Sequence, residues 1–577
     1  MNKLAVILII GISLSLASCI SARYGKKSVP LVEAVPDFHI YEDVTYPDSP
    51  FQDLMTKASS NNTHYVNVLN IGDEALLARI HLIRAAQKAI YIQTFIWAND
   101  ETGRYMYFEL LEAAKRGVEV KIILDGLDYV KNPELIAFAA TAHPNIEIKH
   151  YNPFANSIAP SKLQLIRDAA GSFTRINQRM HNKAFIVDDR IGITGGRNYQ
   201  NDYYDRSPQR NFIDRDVLVV GSLVREMTDS FMHYWAFNLS IPSHDLLDVH
   251  ALIQNENYEK YVGRESFFLG RLFDDLDRQA SDVKYIQETL VNKAYNVRDI
   301  AFVADLPGKN KERGLKGGGV TTDALMKFLS LAEYSIVAQT PYLVLDKEMI
   351  KFYKNLRKKR ESFDILFSTN GFESTDNLYA YAFSYKYKKR YLKKCKFRIF
   401  EMKRVPDDHE KRIPPLEHVS RGDEWTACVH AKTFVIDNDA VWIGSFNVDP
   451  RSVNLNTEMG VIVYDEAVAQ AVQANILRDI EPHNSWTIGK RQKVPFVSFF
   501  SGFMANLSGL MKFMDVWPFQ YSASFTLKEG KEVVPFYHED FYDNYSSVGA
   551  YQGVQISERK MKIRMIKAFG GGVEPII

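Results

Sequence analysis

The chain has 577 residues, 46% hydrophobic and 24% charged, a globular composition that excludes a disordered chain, a collagen and a coiled-coil rod. Its 71 Lys and Arg against 70 Asp and Glu leave a net charge of +1, so any attraction to nucleic acid or acidic lipid has to be local. The three cysteines, Cys19, Cys395 and Cys428, are too few for a disulfide scaffold and lack the paired spacing of a zinc site.

Met1 to Ser18 carries Lys3 and then a 13-residue apolar run, Leu4 to Leu16, that ends on Leu16-Ala17-Ser18-Cys19. A bilayer core takes ~20 residues to cross, so residues 1–18 read as a signal peptide. The ending resembles the lipobox of bacterial lipoproteins, which implies a lipidated Cys19. A lipidated Cys19 would place the protein in a bacterial cell envelope, at the outer membrane or periplasmic face rather than in the cytoplasm; the alternative is an ordinary cleaved signal or an uncleaved anchor in which Cys19 is incidental. Residues 19–50, with Pro30, Pro36, Pro47 and Pro50 and no helical period, read as a lipidated tether.

The remainder repeats itself. Ala86–Thr94 and Ala332–Thr340 align without gaps at an offset of 246 residues, each an apolar strand ending on Gln-Thr before an aromatic loop (Phe95, Tyr342). A helical stripe follows in both copies, Tyr107, Leu110, Leu111, Ala114 in one and Met349, Phe352, Tyr353, Leu356 in the other, and each helix runs into another strand. This is βαβ alternation twice, so the expected fold is α/β, with two homologous α/β/α domains of mixed, largely parallel sheets packed about a pseudo-twofold. The expected organisation is a first domain over 51–250, a linker over 251–300, a second domain over 301–482 and a C-terminal extension over 483–577.

The repeat carries the chemistry. His181-Asn-Lys183 leads to Asp188, and His430-Ala-Lys432 leads to Asp437, at an offset of 249. One H-x-K-x4-D match is a weak signal, but two at equivalent places of a repeat are not coincidence. On a strand, residues i and i+2 share a face, so each His points with its Lys. Two imidazoles and two ammoniums suit phosphoryl transfer: one His attacks phosphorus, the other protonates the leaving alcohol, and the lysines hold the nonbridging oxygens. The loops Gly195-Gly196-Arg197-Asn198 and Gly444-Ser445-Phe446-Asn447 are expected to bind the phosphate, through Gly195, Ser445, Asn198 and Asn447. Asp188 and Asp437 begin turns and read as structural caps. Each His needs a carboxylate on its other nitrogen, and the candidates are Glu458, 28 residues after His430, and Asp216, 35 after His181.

The doubled motif with its Gly-Gly and Gly-Ser loops resembles the phospholipase D superfamily and, within it, the cardiolipin synthase branch, over roughly residues 65 to 480. The resemblance implies a metal-independent, cofactor-free ping-pong mechanism through a phosphatidyl-histidine. By position His181 would be the nucleophile and His430 the acid/base. The partners implied are membrane phospholipids, anionic or zwitterionic, and a membrane surface. The reaction implied is phosphatidyl transfer to phosphatidylglycerol, with hydrolysis to phosphatidic acid as the alternative and a nuclease on the same site as a third reading. Both His/Lys pairs are intact, which argues against a catalytically dead scaffold.

Three further stretches bear on the substrate. Lys386 to Arg404 holds ten Lys and Arg against Glu401 alone, with aromatics interleaved, and reads as either a solvated helix face or a headgroup surface. Val494 to Phe519 is rich in Phe, Met and Leu and reads as core or as an interfacial element, the interface being favoured. Cys428 reads as a free core thiol, with a bridge to Cys395 as the alternative.

Overall fold

The computed structural model describes residues 44–127, 132–161, 163–164, 177–261, 264–267, 272–309, 317–360, 362–492 and 521–549. Cys19, most of the tether, the apolar stretch 494–519 and the end of the C-terminal extension lie outside them.

The first half supplies β1 (His64–Leu69), β2 (Ala89–Thr94), β3 (Glu119–Asp125), β4 (Ile146–Tyr151), β5 (Ala184–Val187), β6 (Ile191–Gly195), β7 (Arg210–Ile213), β8 (Asp216–Val220), β9 (Ser240–Pro242) and β10 (Tyr295–Val297). All but β7 form one sheet, in the order β10-β1-β8-β6-β5-β2-β3-β4-β9. The second half supplies β11 (Ile300–Ala304), β12 (Ser335–Gln339), β13 (Asp364–Asn370), β14 (Arg398–Met402), β15 (Thr426–Val429), β16 (Thr433–Ile436), β17 (Ala440–Gly444), β18 (Met459–Val463), β19 (Ser485–Lys490), β20 (Ser522–Leu527) and β21 (Tyr545–Gly549). All but β15 form the other sheet, in the order β11-β18-β17-β16-β12-β13-β14-β19-β20-β21. Eight strands correspond one to one, from β1 and β11 at one side to β9 and β19 at the other.

The parallel part is narrower than the sequence suggested. Only β2-β3-β4 and β12-β13-β14 run parallel; the other ladders of both sheets are antiparallel. Parallel neighbours need crossovers, and helix α2 (Glu101–Lys115) makes the one from β2 to β3, after α1 (Gly72–Ala85) has led from β1 into β2. The strands after each motif, β5-β6 and β16-β17, join through short turns, which only antiparallel neighbours allow. Asp188 and Asp437 sit in these turns at φ 52°. The Asp188 carboxylate accepts the backbone N–H groups of Gln87, Lys88 and Ala89 and the Tyr46 hydroxyl, and Asp437 accepts those of Glu333, Tyr334 and Ser335. Each Asp ties the motif hairpin to the start of the strand beside it.

The other helices that matter to the site and its flanks are α3 (Leu223–Trp235), α4 (Val320–Ser330), α5 (Lys347–Lys359), α6 (Leu378–Arg390) and α7 (Glu466–Asp479). A buried cluster joins both sheets to α3 and α7, so the two domains share a core. Outside it, α1 and α2 cover the first sheet, and α4, α5 and α6 cover the second. Asp100 caps α2 by accepting from Gly103 N, and Asp346 caps α5 by accepting from Met349 N, so even the helix starts repeat. Within 251–300, Leu276, Ile286 and Leu290 pack into the first domain's outer core and β10 joins its sheet. In the extension, β20 and β21 continue the second sheet. Cys395 and Cys428 are both buried and are not joined in a disulfide.

Candidate active site

The residues before the two motifs pair across the domain boundary. β15 runs parallel to β7 with Val429 opposite Ile213, and Met180 forms a parallel bridge with Thr457. Consequently His430 N donates to Ile213 O at 2.8 Å and His181 N donates to Thr457 O at 2.9 Å. The same symmetry holds one residue earlier: Met180 N donates to Asp125 Oδ2 and Val429 N to Asn370 Oδ1, each at 2.7 Å. Both motif histidines and lysines lie in the extended chain just before β5 and β16.

Each histidine is oriented by a carboxylate from the other domain. His181 Nδ1 lies 2.9 Å from Glu458 Oε2 and 3.1 Å from Ser445 O. His430 Nδ1 lies 2.6 Å from Asp214 Oδ2. Asp214 takes the place expected for Asp216. The registers Gly195 opposite Asp216 and Gly444 opposite Gly460 make Gly460 the counterpart of Asp216, and two residues earlier Asp214 is the counterpart of Glu458. Asp216 faces the helical layer, 2.9 Å from Arg79 Nη2 and 3.5 Å from Arg197 Nη1. Counting residues between motif and carboxylate missed this, because the alignment needed an insertion of five residues rather than seven; matching Ile213-Asp214 to Thr457-Glu458 would have found it.

The glycines and their neighbours do different work from that expected. The N–H groups of Gly196 and Ser445 donate within the sheets, to Arg215 O at 3.2 Å and Met459 O at 2.9 Å. A Cβ on Gly195 would lie 2.2 Å from Asp216 Oδ1, and one on Gly196 would lie 2.1 Å from Asp214 Oδ1. The pair therefore makes room for the carboxylates rather than for a phosphate. Ser445 Oγ donates to Glu458 Oε2 at 2.5 Å and Ser452 Oγ to Oε1 at 2.6 Å. Asn198 accepts from Ile96 N and donates to the Tyr203 hydroxyl, holding the loop that carries Phe95. Asn447 keeps a buried side-chain carbonyl with no hydrogen-bond partner among the described residues, an acceptor suited to a hydroxyl more than to a phosphate oxygen.

Aromatic rings wall both histidines. Phe95 meets His181 edge-on at 5.2 Å, Tyr203 meets His430 at 5.0 Å, and Phe212 lies 4.8 Å from His430. Lys183 Nζ donates to His181 O at 2.8 Å. Lys432 Nζ reaches His430 O and lies 2.7 Å and 3.1 Å from the two ring nitrogens of His430.

The four motif residues are at most 7% exposed, and burial dominates their protonation. It lowers His181 to about 4 against the pull of Glu458, with Lys183 and Lys432 adding to the drop. Burial likewise lowers His430, helped by Lys432. It brings Lys183 down to about 7 and Lys432 to about 8. Burial alone would raise Glu458, but His181 and Lys183 hold it below its ordinary value; His430 and Lys432 do the same for Asp214. At neutral pH His181 is thus an uncharged imidazole whose Nδ1–H is given to an ionised carboxylate, leaving the Nε2 lone pair. That Lys183 responds to Glu458 and Lys432 across the boundary places both pairs in one field.

Among the described residues, the one cluster of three metal-ligand types is Asp408, Glu481 and His483. It lies at the surface, where His483 Nε2 is already 3.0 Å from Asp408.

Residues 79–235 and 325–480 match the sequence family described as "Cardiolipin synthase, PLD-like domain"; each stretch contains one motif and one orienting carboxylate. An uncharacterized protein of Helicobacter pylori is 33% identical over 71% of this chain and 78% of its own length. Cardiolipin synthase C of Escherichia coli is 28% identical over 70% of this chain and 82% of its own. Among solved structures, phosphatidylserine synthase of Haemophilus influenzae aligns with a TM-score of 0.47 at 14% identity, covering 74% of this chain and 91% of that one.

Two outcomes follow from the geometry. If charged lysines hold the phosphate, neutral His181 attacks and His430 gives the proton, kcat/KM should rise with pH through about 4 and then fall, first as His430, which burial holds below its ordinary value, loses its proton and further above about 7 to 8 as Lys183 and then Lys432 lose theirs. A profile flat well beyond pH 9 would remove the lysines from phosphate binding. Asp214→Asn should lower kcat by about a hundredfold or more with little change in Tm, whereas Asp216→Asn, which strands the buried Arg79, should mainly lower Tm.

Proposed function

The chain belongs to the cardiolipin synthase, PLD-like domain family and is an enzyme of the phospholipase D superfamily acting in phosphatidyl transfer; we propose that it moves a phosphatidyl group from a donor phospholipid to a glycerol hydroxyl of phosphatidylglycerol through a phosphohistidine. The observation that carries this reading is the reciprocal pair of buried histidines, each oriented by a carboxylate of the other domain.

In the first half-reaction His181 Nε2 attacks phosphorus, the P–Nε2 bond forms, and the bond from phosphorus to the donor's headgroup oxygen breaks. His430 gives that oxygen a proton. In the second half-reaction the acceptor hydroxyl returns a proton to His430, attacks phosphorus and breaks the P–Nε2 bond. Glu458 stabilises the positive charge that His181 acquires, and Lys183 and Lys432 neutralise the nonbridging oxygens. A bound phosphodiester anion favours the protonated form of His430 and of both lysines. The order of roles is supported by an asymmetry. Among the described residues His181 Nε2 has no hydrogen-bond partner, whereas His430 Nε2 lies 3.1 Å from Lys432 Nζ and 3.5 Å from the Tyr203 hydroxyl. The near-complete burial of the motif side chains limits water and supports an alcohol as acceptor.

Mass spectrometry of lipids from cardiolipin-deficient cells expressing the protein should show cardiolipin. Phosphatidic acid in its place would make the enzyme a hydrolase. With a labelled donor carrying a p-nitrophenol leaving group, which needs little protonation, the His430→Ala variant should accumulate phosphatidyl label on residue 181, because breakdown still lacks its base. Label on residue 430 in His181→Ala would reverse the two roles, and label in neither would exclude the covalent intermediate.

A further inference from the structure

We propose that the outer helical face of the second domain, formed by α5 and by the turn that ends α6, is a docking surface for an anionic lipid bilayer. This deepens the phosphatidyl-transfer reading, on which it rests for the choice of lipid over nucleic acid.

The duplication supplies an internal control. α2 and α5 occupy equivalent places, share an Asp cap and bury the same stripe, yet α2 carries three acids against two bases, Arg104 and Lys115, while α5 carries six bases against Glu348 alone. The helix Pro133–Thr141, which sits between β3 and β4 as α6 sits between β13 and β14, has Glu134 as its single charge. Residues 386–396 hold seven Lys and Arg and no acid. The fold therefore does not require the basic charge, since the first domain builds the same layer without it.

Of these bases Lys388 is buried and belongs to the core, 2.5 Å from Glu401. Lys347, Lys351, Lys354 and Lys358 are exposed and recur at i, i+4, i+7 and i+11, a single stripe opposite the buried Met349, Tyr353 and Leu356. Like charges at this spacing repel and disfavour the helix. Lys393 and Lys394 are exposed beside them, because the turn packs directly on α5: Tyr391 Oη accepts from Leu345 N at 3.0 Å, and the rings of Tyr353 and Phe397 meet at 5.1 Å. No ion pair neutralises these six lysines among the described residues. Exposed tyrosines stand at the margins, Tyr334 beneath Arg360 and Tyr537 beneath Lys396, the residue type that settles at a headgroup boundary. In a chain whose net charge is +1, such a concentration on one face attracts anionic headgroups locally and is screened by salt.

The test uses the chain from Ile20 onward, so that neither the apolar run nor an acyl group contributes, and vesicles of phosphatidylglycerol with phosphatidylethanolamine or of phosphatidylcholine alone. The chain should sediment with the anionic vesicles at low salt and not with the neutral ones. Adding Lys351→Gln, Lys354→Gln, Lys393→Gln and Lys394→Gln should weaken that binding by about a hundredfold or more. Turnover of a short-chain, monomeric phosphatidylglycerol should be unchanged, so failure of docking and failure of the catalytic reading are told apart. Undiminished binding of the four-site variant to anionic vesicles would overturn the proposal. So would tighter binding of the parent chain to a single-stranded oligonucleotide that the four substitutions abolish, which would assign the face to nucleic acid.

Discussion

The exchange of carboxylates between the two domains is the contact on which the site depends. His181 is useful only if its Nδ1–H is fixed, and the acceptor, Glu458, belongs to the other half of the chain; His430 stands in the same relation to Asp214. Neither domain holds a competent histidine alone. The shared core of α3, α7 and both sheet faces therefore serves chemistry as well as stability, since a shift of about 1 Å between the domains would break both hydrogen bonds at once.

Burying so much charge requires that nearly every group be matched. Asp216 is matched by Arg79 and Arg197, and Glu458 by His181, Ser445 and Ser452. The two lysines are matched least well, and burial brings both near neutrality. A site of this kind gains most from an anionic ligand, because the phosphate supplies the negative charge that the resting protein withholds.

The pseudo-twofold is strict in register and broken in chemistry. Asp125 and Asn370 make the same hydrogen bond to the backbone before each motif, but the first domain adds Arg179, paired with Asp125, where the second has Cys428. Tyr203 reaches His430 from an insertion that the second domain lacks. The outer helices differ as strongly in charge. Duplication fixed the frame, and these differences leave the two equivalent histidines in unequal surroundings.

The repeat, the two α/β domains and the four motif side chains were legible in the sequence because each rests on local spacing: strands of alternating or continuous apolar residues, a helical stripe, and His and Lys two residues apart. The turn aspartates were legible for the same reason. What the sequence left undecided was every relation that depends on which residues face one another across the chain. Asp214 and Asp216 sit two apart on one extended segment, and only the register of β6 against β8, together with the parallel pairing of β7 with β15, assigns one to His430 and the other to Arg79. The role of Gly196 was hidden likewise, since its missing side chain matters only for a carboxylate that arrives from another strand. Sequence spacing determines what a residue can do within a few positions; the burial and pairing that give it a partner are set by tertiary packing, which brings together groups hundreds of residues apart.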